Sequence, residues 1–118
     1  MPHLSEADRF VRPEFMYGST AGAKSGCGCI YTTINHDEDG DMREVILDLG
    51  KAGGCAKALL EVIGRITSIA LQYGVPPGIL FKQMTGIHCP REQPPLILPC
   101  VVCVGERMKT VYEKSQQE

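Results

Sequence analysis

Long apolar runs are missing from this sequence, and so is any excess of basic charge. The amino-terminal stretch MPHLSEADRFVRPEF mixes both charges from the start, and no later apolar run approaches the roughly 20 residues that span a membrane. We therefore expect no secretion signal, no membrane association and a cytoplasmic location. The formal net charge is −2. This value disfavours general nucleic-acid binding, because domains that bind phosphate backbones usually have an excess of basic residues or a stripe of basic residues on one face.

Tryptophan is absent as well, whereas cysteine occurs six times in 118 residues. Cytosolic thiols are kept reduced, so we interpret these cysteines as metal ligands, redox groups or buried side chains rather than as disulfides. A chain of this length is expected to form one ordinary domain with a modest core. We predict a flexible lead-in over residues 1–13 and a single domain over residues 14–118.

Hydrophobic periodicity predicts an α+β fold. From about residue 28 to about residue 49, apolar and polar residues alternate on both sides of the polar turn HDEDGDMR, which predicts an antiparallel hairpin. The preceding EFMYGSTAGAK is rich in glycine and alanine and predicts a weak edge strand at best. Helices are predicted over about 54–73, 77–85 and 103–115.

The first predicted helix is long and amphipathic, and its apolar residues are three and four positions apart. We expect this apolar stripe to face the small antiparallel sheet. The stripe consists of Leu59, Val62, Ile63, Ile66, Ile69, Ala70 and Tyr73.

The spacing of the cysteines indicates a structural zinc site. Zinc takes about four soft ligands, which usually come as close pairs from two parts of a chain. Cys100-x-x-Cys103 is a familiar half-site, Cys27-x-Cys29 is a weaker indication, and Cys89 precedes a proline-rich loop. We predict that the ligands are Cys27, Cys89, Cys100 and Cys103, with Cys29 as the substitute for Cys89.

Other interpretations of these residues stay open. Cysteine is often simply buried, and we assign Cys55, in the first turn of the long helix, to this class. A dithiol at a helix amino terminus has a stabilised thiolate, so Cys100 and Cys103 are also candidates for redox chemistry. Against redox chemistry, the sequence shows no thioredoxin-like alternation of strands and helices and no tryptophan beside the pair. His88 is a more distant candidate for a metal ligand.

The glycine-rich run GKAGG before the long helix suggests an anion site at Lys51, Gly53 and Gly54, because backbone N–H groups at a helix start attract anions. The Walker pattern is absent, and glycines that let a strand turn closely into a helix explain the run equally well.

The turn HDEDGDMR is similar to a calcium-binding loop over its first positions, with Asn35, Asp37 and Asp39 at the spacing of ligands. The position that needs a bidentate glutamate is Ile46, and the flanking segments are strands. We therefore interpret this segment as a solvated turn.

Three runs of the sequence resemble the TSCPD domain family over about residues 12 to 104: SGCGCIYTTIN, DLGKAGGCAKALLEVIGRITSIALQYGVPP and FKQMTGIHCP. This family occurs at the carboxy-terminal end of many adenosylcobalamin-dependent ribonucleotide reductases and as small free-standing proteins. The resemblance carries the family cysteines over to Cys27, Cys55, Cys89 and Cys100. The family is named for the signature Thr-Ser-Cys-Pro-Asp. This sequence departs from it, because Pro99-Cys100 is followed by two valines.

The resemblance implies a non-catalytic accessory domain with no cobalamin site of its own. The alternative is a detached subunit or dithiol donor for ribonucleotide reduction and deoxynucleotide synthesis. We predict no catalytic residues, and the expected protein partner is a ribonucleotide reductase or another protein. A homodimer is also expected, because two or three strands leave sheet edges and one sheet face poorly covered.

Overall fold

A computed structural model describes residues 4–5, 8, 10–50 and 54–116. It confirms the α+β fold, with three strands in one antiparallel sheet of order β1-β2-β3. The elements are β1 (Tyr17–Ser25), β2 (Gly28–His36), β3 (Met42–Gly50), α1 (Gly54–Gln72), α2 (Pro77–Lys82) and α3 (Cys100–Gln116). The second helix ends three residues earlier than predicted, and α3 begins three residues earlier. None of the described helices is long and apolar enough to cross a bilayer.

The first strand is longer than its composition predicts. β1 is nine residues long and pairs with β2 from Tyr17, opposite His36, to Ser25, opposite Gly28. Glycine and alanine lower the strand propensity of this segment, but the backbone hydrogen bonds to β2 do not depend on large side chains. The hairpin predicted over about 28–49 therefore supplies the central strand and one edge strand of a three-stranded sheet.

The hydrophobic core lies on one face of the sheet, beneath α1 and α3. Successive strand residues point to opposite faces, and every second residue of β2 and β3 is buried on this face. These residues are Ile30, Thr32, Ile34, Val45, Leu47 and Leu49. The helices contribute the buried side chains of Leu60, Leu71, Val104 and Met108.

The buried side of α1 is not the apolar stripe that the sequence predicts. The helix faces the sheet with Leu60, Gly64, Thr67 and Leu71. Of the predicted stripe, Leu59, Val62, Ile66 and Ile69 are exposed. The expectation that this stripe packs on the sheet is therefore wrong for these four residues.

Close approach to β3 explains why α1 turns its small residues inward. A β-carbon on Gly64 would lie only 3.0 Å from the carbonyl oxygen of Val45. The hydroxyl of Ser68 accepts a hydrogen bond from the Val45 N–H at 2.9 Å and donates one to the Val45 carbonyl at 3.0 Å. Because Ser68 thereby satisfies the open backbone edge of β3, this contact favours the small and polar side of the helix over the more apolar one.

Asp37 organises the turn between β2 and β3. Its Oδ1 atom accepts the N–H groups of Asp39 and Asp41 at 2.9 and 3.0 Å, and its Oδ2 atom accepts Nε–H of Arg43 at 2.9 Å. Burial by itself would raise the pKa of Asp37. The hydrogen bonds from Arg43 and from the backbone of Asp41 and Asp39 outweigh this effect, so the pKa of Asp37 is lowered.

A lowered pKa means that the Asp37 carboxylate stabilises the fold above its unfolded-state pKa of about 3.9, and that this stability is lost as the pH falls through the lower folded-state pKa. We therefore expect Asp37→Asn to lower the free energy of unfolding at pH 7, with a smaller loss at pH 3. Urea unfolding of both proteins at each pH measures the difference, and Asp39→Asn at the exposed neighbour is the control. A loss of equal size at both pH values would contradict the prediction.

Part of the predicted lead-in contacts the body of the fold. The N–H of Phe10 donates to the Gln72 carbonyl at 3.1 Å, and the Arg43 guanidinium lies 4.7 Å from the centre of the Phe10 ring. Arg12 pairs with Glu44 of β3 at 2.9 Å. These contacts tie the segment to β3 and α1, while the domain division at residue 13 stays a prediction.

Candidate metal centre

The site begins at the tight turn between β1 and β2. Two residues, Gly26 and Cys27, join the last pair of the ladder, Ser25 and Gly28. The hydroxyl of Ser25 donates to the Gly28 carbonyl at 2.7 Å and accepts the Cys27 N–H at 3.3 Å. These hydrogen bonds fix Cys27 at one end of the sheet.

The segment before α3 runs beside this turn. Leu98 forms a short parallel bridge with Ser25, and the Gly26 N–H donates to the Leu98 carbonyl at 3.0 Å. Since Cys100 follows two residues later as the first residue of α3, the bridge places the start of the helix beside Cys27. The pKa of Cys100 is raised by burial and, next, by the nearby thiol of Cys27.

Cys89 approaches the same turn from the loop that precedes α3. A β-carbon on Gly26 would lie 3.1 Å from the Cys89 sulfur and 2.9 Å from Cβ of Arg91. Glycine at this position therefore permits the close approach of the loop. Glu92 holds the loop in place, because its Oε1 atom accepts the Cys89 N–H at 3.2 Å and lies 2.9 Å from Nδ1 of His88.

Cys103 lies one helical turn after Cys100 and is buried. Its sulfur donates to the Lys24 carbonyl at 3.6 Å, and Lys24 directly precedes Ser25 in β1. This contact holds the first turn of α3 against the end of the β1–β2 hairpin.

The fold thus gathers four thiols from three segments around the Ser25–Gly28 turn. They are the predicted ligands Cys27, Cys89, Cys100 and Cys103. No three of the four sulfur atoms lie within 4.8 Å of one another: among the described residues, potential ligand atoms come this close in threes only in the acidic turn after β2. Tetrahedral ligation would need side-chain rotations, with Cys103 leaving the Lys24 carbonyl. The zinc site and its ligand set stay a prediction.

Cys29 and Cys55 have different surroundings from these four thiols. Cys29 is on the outer face of the sheet beside Tyr31, where a hydrogen bond between the two side chains raises the pKa of Tyr31. Cys55 is exposed, so the expectation that it is buried is wrong. The buried line of α1 passes through Leu60 and Gly64, and Cys55 falls outside this line.

The thiols at the start of α3 are held in their protonated form. Burial is the largest cause that raises the pKa of Cys100, and the neighbouring Cys27 raises it further. Burial also raises the pKa of Cys103, together with Glu106 and Cys100. Reactive dithiols need a lowered pKa. These environments therefore argue against Cys100 and Cys103 as a free redox pair, although the redox hypothesis itself stays open.

The predicted anion site falls largely on residues whose structure is not described. Lys51 and Gly53 lie outside the described ranges, while Gly54 begins α1 with a φ of 73°. Anion binding by Lys51, Gly53 and Gly54 stays a prediction.

The acidic turn brings carboxylate oxygens of Asp37, Asp39 and Asp41 within 4.8 Å of one another. The hydrogen bonds that Asp37 accepts from the backbone and from Arg43 account for this arrangement, and Asp39 and Asp41 are exposed. The geometry agrees with the interpretation of a solvated turn.

Two residues that matter for the site escaped the sequence analysis. Gly26 permits the approach of Cys89, and the glycines on both sides of Cys27 were a signal for a tight turn there. Leu98 carries the bridge that positions Cys100, and nothing in the local sequence marks it for this role.

Comparison with known protein families gives one result that covers most of the chain. The family model of the TSCPD domain, which describes the sequence pattern of the family, matches residues 6–112. The match includes the hairpin, the loop with Cys89 and the part of α3 that carries Cys100 and Cys103. Searches among curated proteins and among solved structures gave no match.

Proposed function

Because the chain belongs to the TSCPD domain family, we propose that it is a zinc-binding, non-catalytic accessory domain related to the module of ribonucleotide reductases. The proposed ligands are Cys27, Cys89, Cys100 and Cys103. One observation supports the proposal: these cysteines come from three segments that are distant in the sequence, and contacts of each segment lie at the Ser25–Gly28 turn or directly beside it.

The chemistry of the four residues suits zinc. Thiolates are the soft ligands that structural zinc sites use, usually with four ligands in a tetrahedron. The bound ion would supply a cross-link between the β1–β2 turn, the proline-rich loop and α3. It would add to the contacts that α3 already makes at this end of the sheet, among them the Leu98 bridge and the weak hydrogen bond of Cys103 with the Lys24 carbonyl.

Zinc binding is expected to depend on pH. Cysteine binds zinc as a thiolate, so the metal competes with protons. The raised pKa values of Cys100 and Cys103 mean that protons are released on binding at neutral pH. The zinc affinity therefore falls as the pH is lowered.

A structural role agrees with the position of the site. The thiols lie at a turn and at a helix start, and burial and the neighbouring thiol hold Cys100 protonated in the metal-free state. A ribonucleotide reductase is the proposed partner, since the same module occurs as the end of longer reductase chains. The rival role as a dithiol donor needs reactive thiolates at Cys100 and Cys103.

Metal analysis combined with thiol titration separates the two roles. The protein is purified without added zinc, and its thiols react with a chromogenic disulfide before and after chelation. We expect one zinc ion per chain, with fast reaction confined to Cys29 and Cys55 until the chelator releases the other four of the six cysteines. Metal-free protein whose Cys100 and Cys103 react fast would refute the zinc proposal and favour the dithiol donor.

A further inference from the structure

The outer side of α1 presents a second apolar stripe that none of the described residues covers. Leu59, Val62, Ile66 and Ile69 are exposed by between 43% and 63%. Their spacing of three, four and three residues is the spacing of a helix that packs against another helix along a narrow seam. We call these four residues the α1 seam.

The α1 seam continues toward the sheet. A groove of about 770 Å³ separates α1 from the outer side of β3, with Ile69 on its helix wall and Ile46 on its strand wall. Ile46 is also half exposed. The charged residues at this groove are paired, Arg65 with Glu61 at 2.8 Å and Lys57 with Asp48 at 3.5 Å, so an apolar partner does not have to bury an isolated charge.

We propose that the α1 seam is the interface of a homodimer, in which α1 of a second copy packs along α1 about a two-fold axis. A seam of this kind fits a helix with the same exposed spacing. Among the described helices, α1 itself has this spacing of exposed apolar residues. α2 has only six residues. The exposed side of α3 is polar and carries Glu106, Lys109, Glu113 and Lys114.

The size of the surface agrees with a second copy. Together with Ile46, the α1 seam exposes on the order of 450 Å² of apolar area, which lies in the range of the largest and often functional patches of monomers. A stable interface buries about 800 Å² per partner. The seam and Ile46 together cover about half of this area, and the paired charges of the groove, Glu61 with Arg65 and Lys57 with Asp48, leave an identical face without a net charge to oppose it.

Sedimentation equilibrium from micromolar to millimolar concentration tests the proposal. The wild type should shift from the mass of one chain, 12.9 kDa, to twice that mass. Ile66→Lys should weaken dimerisation by at least about a hundredfold, since it buries one unpaired charge per copy near the centre of the seam. The matched control is Ile79→Lys on α2, because Ile79 is 54% exposed and Ile66 is 62% exposed. Its dimerisation should equal that of the wild type.

Thermal unfolding at the lowest concentration shows whether Ile66→Lys keeps the monomer fold. If it does not, Leu59→Lys at the end of the seam, where the side chain is 63% exposed, takes its place in the same assay. The proposal is overturned if the wild type remains a monomer at millimolar concentration. It is equally overturned if the seam variants dimerise like the wild type, or if Ile79→Lys weakens the dimer as much as they do. A monomeric wild type would indicate that the seam binds a different protein rather than a second copy.

Discussion

Cys100→Ser is expected to abolish the proposed zinc binding and to lower the free energy of unfolding by at least about 3 kcal/mol. The energy of a structural zinc site is largely folding energy, because the unfolded chain has no preformed site. A serine hydroxyl replaces the thiol in size but does not serve as a soft ligand. Cys100 is the residue at which the proposed site would join α3 to the β1–β2 turn, so the variant should also loosen the start of the helix.

Metal content by mass spectrometry and chemical unfolding measure these two effects on the same samples. Cys55→Ser is the matched control, because this thiol is exposed and is not one of the proposed ligands. It should keep the full metal content and change stability by less than about 0.5 kcal/mol. Equal metal content and equal stability in Cys100→Ser and the wild type would remove the basis for the zinc site.

Gly64→Val is expected to destabilise the fold by about 3 kcal/mol without changing the proposed metal ligands. The added β-carbon would lie 3.0 Å from the Val45 carbonyl oxygen and 3.4 Å from a side-chain carbon of Leu47. The two further carbons of valine need more room still, so α1 has to move away from β3 and lose the Ser68 hydrogen bonds. The gain in helix propensity over glycine is well below this cost.

The control is Gly78→Val in α2, where a β-carbon would approach only Phe81, at 3.9 Å. This substitution should be close to neutral. Urea unfolding of both variants gives the comparison, and the amide hydrogen exchange of α1 shows whether the helix has separated from β3. Equal stability of the two variants would mean that α1 does not depend on close approach at Gly64.

Local pattern was sufficient for most of the secondary structure. The alternation between Ile30 and Leu49, interrupted by Asp39-Gly40, predicted the hairpin correctly, because side-chain alternation and turn chemistry are properties of neighbouring residues. The length of β1 and the buried side of α1 were not predicted. Both depend on partners distant in the sequence, namely the β2 ladder and the Val45 backbone.

The candidate site was likewise predicted in part from local sequence, and the rest depends on tertiary contacts. The spacing of Cys100 and Cys103 marked one half of it, since residues three apart on a helix lie on one side. The proximity of Cys27 and Cys89 follows from the Leu98 bridge and from the missing side chain of Gly26. Neither contact has a signature in the local sequence.

By itself the sequence determined the family, the α+β class and the choice of thiols as the chemical groups of interest, because these follow from composition, periodicity and motif order. Only the tertiary structure decided which cysteine-bearing segments lie beside one another and which side of α1 is free. The long helix has two sides that could face a sheet, and the more apolar one is the expected choice when burial alone is considered. The open backbone edge of β3 reverses this choice, because Gly64 and Ser68 can approach Val45 closely and satisfy its hydrogen bonds, and the apolar seam remains exposed on the surface.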